Sequence, residues 1–201
     1  MKFYAPFCLP FIIGATAMFA IVLGKWLVWL LRLPRADKML ILRGLPSRAT
    51  FGAIGEVFCE SLLHRRIFRV NPVLGYMHMS LAFGWFLLIS VGWIETVAHL
   101  GFRYVPLQGH VFFKYFATSL EHKPFFDFAM DLLLLFVLSG VALAWGKRLR
   151  SKALGMRRTT KHVLGDRIAL SALWFIFPAR LLAESATCAL YGGGGFLTGT
   201  L

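Results

Sequence analysis

The stretch PVLGYMHMSLAFGWFLLISVGWIETVAHL, residues 72–100, decides the fold. It opens at Asn71-Pro72, where a proline in the first helical turn forfeits no hydrogen bond. From there it is apolar on every face, a pattern that leaves a helix no side for water. Its length exceeds the roughly 20 residues that carry a helix across a hydrocarbon core of about 30 Å. Three other stretches share this character: Phe7 to Leu31, Phe125 to Trp145 and Ile168 to Tyr191. The chain therefore reads as an all-α polytopic membrane bundle with four transmembrane helices.

The 201 residues are 58% hydrophobic and 15% charged, with a mean hydropathy of +0.70. Four spans and their loops use nearly all of the chain, which leaves a single transmembrane domain and no room for a soluble one. The formal charge of +13 raises the question of nucleic acid, but the placement of the charges argues against it. Eight Lys/Arg fall between Arg32 and Arg69, and eight more between Lys147 and Arg167. The loop from Gly101 to Pro124 holds only Arg103, Lys114 and Lys123, and the N-terminal tail only Lys2. Basic loops kept on the cytoplasmic side account for this alternation. The same loops attract anionic lipid headgroups. The expected topology puts the N-terminus, the Gly101–Pro124 loop and the C-terminus outside, in the cytoplasmic (inner) membrane. Lys25 then snorkels to the inner interface, and the first span, too long for a signal-peptide core, is retained.

Cys8, Cys59 and Cys188 are isolated, so thiolate clusters for zinc or iron–sulfur are not expected within this chain. Between the first two spans, Phe51, Ile54, Phe58, Leu62 and Ile67 recur near helical spacing among Glu56, Glu60, His64 and Arg65. That pattern predicts an amphipathic helix over about 51–68, on the membrane surface, against a partner or packed under the bundle. At the other end, the glycine run Gly192 to Gly195 reads as a loop leading into a further apolar element.

His78 is the leading candidate for chemistry. It lies two turns into the second span, and an ionisable side chain at that depth is functional by default. Gly75, Ala82, Trp85 and Gly92 share its helical face, which leaves room for a flat macrocycle beside the backbone. Neutral imidazole is a common axial ligand of haem iron. Helix packing with an interhelical hydrogen bond from His78 is the plain alternative. His64 and His162 are expected among the basic segments facing water or headgroups, with His99, His110 and His122 at the outer side, so no second imidazole matches His78 in depth.

A second constellation falls in the outer half of the bilayer. Asp127 and Asp131 sit one turn apart on the third span, Glu95 near the outer end of the second, and Arg180 and Glu184 after Pro178 on the fourth. Such charges in lipid pair with one another or line a wet cavity. One reading is an interhelical pair such as Arg180 with Asp131. The other is a quinol pocket in which Glu95, Asp131 and Glu184 accept protons and Arg180 holds a quinone oxygen or haem propionate.

The segment Val73-Leu-Gly-Tyr-Met-His78-Met-Ser-Leu resembles the haem-ligand helix of the respiratory nitrate reductase gamma-subunit family. Gly146-Lys-Arg-Leu-Arg-Ser, Arg157-Arg-Thr-Thr160 and Gly165-Asp166-Arg-Ile-Ala-Leu170 are similar to that family's connection between its third and fourth helices. His64-Arg-Arg-Ile-Phe-Arg69 ahead of Asn71-Pro72 also resembles the membrane domains of heterodisulfide-reductase-related iron–sulfur oxidoreductases. The resemblance implies a five-helix cytochrome b bundle that takes electrons from quinol and passes them to a cytoplasmic iron–sulfur protein or domain. It places His78 as ligand to one haem b, with the opposing ligand on a fifth helix outside this chain. It also implies that the chain is a fragment, and that Leu88 replaces the histidine of the family's other haem. No catalytic residue is implied, because the redox chemistry belongs to haem and quinone. Two non-redox readings stand beside it: a transporter component whose Asp131, Arg180 and Glu184 line an ion path, and a structural anchor recruiting a partner through residues 51–68.

Overall fold

In the computed structural model, residues 2–45, 47–116, 123–155 and 163–201 are described. Their elements run α1 (Cys8–Arg32), α2 (Arg35–Gly44), α3 (Arg48–Val57), a π-turn (Phe58–Leu62), α4 (Arg65–Val70), α5 (Pro72–Leu100), α6 (Leu107–Val111), α7 (Phe113–Phe116), α8 (Pro124–Ala153) and α9 (Leu164–Tyr191). No strand occurs among the described residues. Four of the helices, α1, α5, α8 and α9, are long and apolar enough to cross a membrane. The protein is an all-α membrane bundle.

The chain divides into two compact units, residues 1–58 with 102–118, and residues 59–101 with 119–201. In the first, α1 meets α6 through aromatic contacts at its N-terminal end. Phe7 and Phe11 lie edge-on to Phe112 at 5.2 and 5.4 Å, and Gln108 donates to the Phe3 carbonyl oxygen at 3.3 Å. Along the rest of α1, residues such as Leu23, Trp26 and Leu31 are exposed, the surface expected of a helix bathed in lipid.

The second unit is built on α5 and α8. Asn71 accepts the Leu74 N–H at 3.0 Å, and Pro72 follows, so α5 starts with a side-chain cap and a preset backbone angle. Its far end is closed by Lys123, whose ammonium donates to the Ala98 carbonyl oxygen at 2.9 Å. The two helices run antiparallel along a seam of small residues. Val137 and Phe136 of α8 crowd Gly84, Met130 lies against Gly92, and Gly140 faces Ser80. Apolar chains are no more at home in protein than in lipid tails, so close backbone approach and polar contacts carry the association. Tyr76 and Ser139 supply such a contact, their hydroxyls 2.7 Å apart. Leu88, Met130, Leu134, Val137, Val141 and, from α9, Phe177 form the buried core.

This seam gives a direct test. A Cβ on Gly140 would run into the Ser80 hydroxyl oxygen and come within 3.3 Å of the Met77 carbonyl oxygen, a backbone atom that cannot rotate away. Gly140→Leu should cost about 2–3 kcal/mol as an overpacked interface. Gly146→Leu, further along α8 where a new Cβ meets nothing within 4 Å, should cost little. Unfolding of the two variants in detergent checks the difference, and equal stabilities would rule out the seam.

Helix ends outrun the apolar stretches. α8 continues past Trp145 to Ala153 and α9 begins at Leu164, each by one to two turns. The expected amphipathic helix over 51–68 is not continuous. It stops after α3, passes through the π-turn, and restarts as α4 beyond His64, whose φ of 52° is left-handed. Glu60 explains the restart: its carboxylate accepts the Arg66 N–H at 3.3 Å and lies 3.5 Å from the Arg66 guanidinium. A carboxylate at the open amides of α4 stabilises a new helix start there.

Candidate functional site

The restart at His64 folds α4 back against α5. Gly75 makes the close approach possible, because the space a Cβ would take there is filled by the Phe68 ring and backbone, 2.6–2.8 Å away. With α4 in place, the His64 and His78 imidazoles lie 5.4 Å apart between centroids, their planes 19° from parallel. Both are half-buried. His64 is thus not turned to water among the basic residues, as the sequence implies, but set against the one histidine inside a span.

The hydrogen bonding of His64 favours ligand chemistry. Its Nδ1 lies 3.2 Å from the Leu62 carbonyl oxygen, a contact that places the proton on Nδ1 and leaves the Nε2 lone pair free. A backbone carbonyl behind an imidazole is the usual support for a metal-binding histidine. Among the described residues no group of three or more His, Cys, Asp or Glu side chains could hold a metal ion. The pair offers two neighbouring imidazoles as candidate ligands.

The face of α5 around His78 is less open than its small residues imply. Phe68 of α4 covers Gly75, Met130 of α8 lies 3.6 Å from the Gly92 Cβ position, and Trp85 packs edge-on to Phe177 of α9 at 6.3 Å. Ala82 remains half-buried one turn beyond His78. Gly75 and Gly92 serve helix packing.

The charged constellation gathers at the opposite end of α5, α8 and α9, with two pairings that differ from expectation. Arg180 does not reach across to Asp131. Its Nη2 and Nε lie 2.8 and 2.9 Å from Glu184 Oε1, a pair within α9. Four residues is one helical turn, so the two side chains meet without leaving their own helix. Asp131, 1% exposed, instead accepts from the segment that follows the glycine run: the Leu197 N–H at 2.7 Å, the Thr198 N–H at 3.0 Å and the Thr198 hydroxyl at 2.9 Å. Gly195 lets this segment approach, since a Cβ there would strike the Asp131 carboxylate. A turn closed by Gly199 N–H to the Gly195 carbonyl oxygen, 3.0 Å, completes the dock. Residues 196–200 therefore return to α8 as a turn. Glu95 is buried in α5 and Asp127 in α8.

His99 sits at the C-terminal end of α5, its Nδ1 2.8 Å from the Glu95 carbonyl oxygen, and His110 lies in α6. His122, His162 and the Arg157–Thr160 motif lie outside the described residues. Cys8, Cys59 and Cys188 form no disulfide among the described residues. No family model, curated protein or solved structure matches this chain.

Proposed function

We propose that this protein is a cytochrome b-type membrane subunit, passing electrons from quinol through haem to a cytoplasmic iron–sulfur partner. The observation that carries the reading is the His64–His78 imidazole pair. It sets a second imidazole beside His78, where the family resemblance implied an opposing ligand on a fifth helix outside this chain. The resemblance of residues 73–81 to the nitrate reductase gamma-subunit helix supports the same assignment for His78. Under this reading the N-terminus lies outside the cytoplasmic membrane, and the basic loops face the iron–sulfur partner.

Haem supplies the one-electron chemistry, and the protein tunes it through ligand, burial and hydrogen bonding. His78 and His64 hold the iron. The Leu62 carbonyl keeps His64 in the ligating tautomer. At the opposite end, Glu95 and the Arg180–Glu184 pair are the groups for quinol and its protons, Asp131 being occupied by the 197–198 turn.

A dithionite-reduced minus oxidised spectrum of the purified chain tests this. A b-type signal is expected, and His78→Ala should abolish it while circular dichroism stays helical. A colourless wild-type chain, or full haem content in the variant, would sink the proposal and promote the anchor and transporter readings.

A further inference from the structure

We infer that the cleft between α8 and α9, at the end of the bundle carrying the basic loops, binds the headgroup of an anionic phospholipid. This rests on different residues from the haem proposal and stands without it. Trp145, Arg148, Leu149 and Lys152 follow one another at helical spacing on one face of α8, and Ser171, Trp174 and Phe175 do so on α9. Together they line an open cleft of about 440 Å³. That volume falls in the range of small-ligand sites.

The lining divides by chemistry. Arg148 stacks over the Trp174 ring with its guanidinium carbon 5.5 Å from the centroid. A cation held on an indole face is positioned in advance, because the ring quadrupole attracts it. Lys152 adds a second cation one turn further toward the helix end, and Ser171 a hydroxyl donor. Among the described residues, no carboxylate lines the cleft. Trp145, Leu149 and Phe175 give it an apolar wall. Trp145 and Lys152 are seven residues apart on α8, so the cleft reaches about 10 Å along the helix at 1.5 Å per residue. Its occupant needs negative charge at one end and hydrocarbon at the other. Free phosphate would use the cations and leave the aromatic wall empty. An anionic phospholipid uses both, and basic pockets between spans take such headgroups.

Acyl-brominated lipids quench tryptophans they touch, and Trp145 and Trp174 line this cleft. The purified chain is titrated in detergent with brominated phosphatidylglycerol and, separately, brominated phosphatidylcholine. Phosphatidylglycerol should quench at a roughly twenty-five-fold lower mole fraction, from two cations each contributing about fivefold. The double variant R148Q/K152Q should erase that preference. Ser171→Phe, which fills the cleft and keeps both cations, should erase it too and covers the case of a misfolded charge variant. Millimolar inorganic phosphate should leave the quenching unchanged. Equal titrations by the two lipids would overturn the inference, as would a preference that survives Ser171→Phe. Displacement by inorganic phosphate would overturn the lipid as occupant.

Discussion

Asp131→Ala should destabilise the bundle by about 4 kcal/mol and release the segment after the glycine run. The carboxylate is buried and accepts three hydrogen bonds, two from backbone N–H groups and one from a hydroxyl. Bonds to a charged acceptor are worth about 1.5–3 kcal/mol each, and part of that loss is recovered as the freed donors reach water. Asp131→Asn should fall between, because an amide offers a single acceptor oxygen. Two measurements separate this role from proton transfer. Unfolding in detergent reports the stability, and hydrogen exchange at Leu197 and Thr198 reports the dock. If exchange and stability are unchanged while quinol oxidation fails, Asp131 is a proton acceptor after all.

That case shows which parts of the site the sequence carries. An aspartate in a span announces that it needs a partner, and the search naturally turns to the nearest cation. Arg180 is engaged by Glu184 one turn away, and the partner of Asp131 is main chain, 66 residues downstream for the Leu197 amide. Every residue has an amide, so nothing in residue identity marks those that will donate. The glycines were the available signal. Gly195 is small because a carboxylate must come close, and the run reads equally well as loop until the contact is seen.

The four spans were legible because lipid imposes their pattern directly on composition. Hydropathy marks where lipid ends, however, and not where the helix ends. Backbone hydrogen bonding continues through Lys147, Arg148 and Arg150, so α8 outlasts its apolar stretch. Those same turns beyond Trp145 form one wall of the α8–α9 cleft. The small residues of α5 were legible as a face but not by what fills it. Gly75 gives way to Phe68 and Gly92 lies against Met130, where a macrocycle was the expected neighbour.

The break at residues 58–64 was not legible, since it contains neither glycine nor proline. Periodicity runs straight through it from Phe51 to Ile67. What ends the helix is the carboxylate of Glu60 reaching the amide of Arg66, and what completes the turn is His64 in a left-handed conformation. The result places an imidazole where sequence spacing gave no reason to look for one.

His64→Gly should therefore move stability and ligation in opposite directions. A non-glycine residue in the left-handed region costs about 1–2 kcal/mol. Glycine carries no such penalty, but it loses about 1 kcal/mol to its freer unfolded chain. Removing the His64 ring also removes its contact with His78. The fold should thus be as stable as wild type or slightly more so. Under the haem proposal, His78 would be left as the one protein ligand, and the haem spectrum should change from that of wild type. Backbone strain kept at a position where glycine would relieve it points to a side chain retained for its chemistry. His64→Asn separates the causes, since asparagine also tolerates the left-handed region but is no ligand comparable to imidazole. It should match His64→Gly in spectrum while keeping a side chain at the turn. If both variants retain a six-coordinate low-spin haem, His64 is only a turn residue, and the second ligand must come from elsewhere.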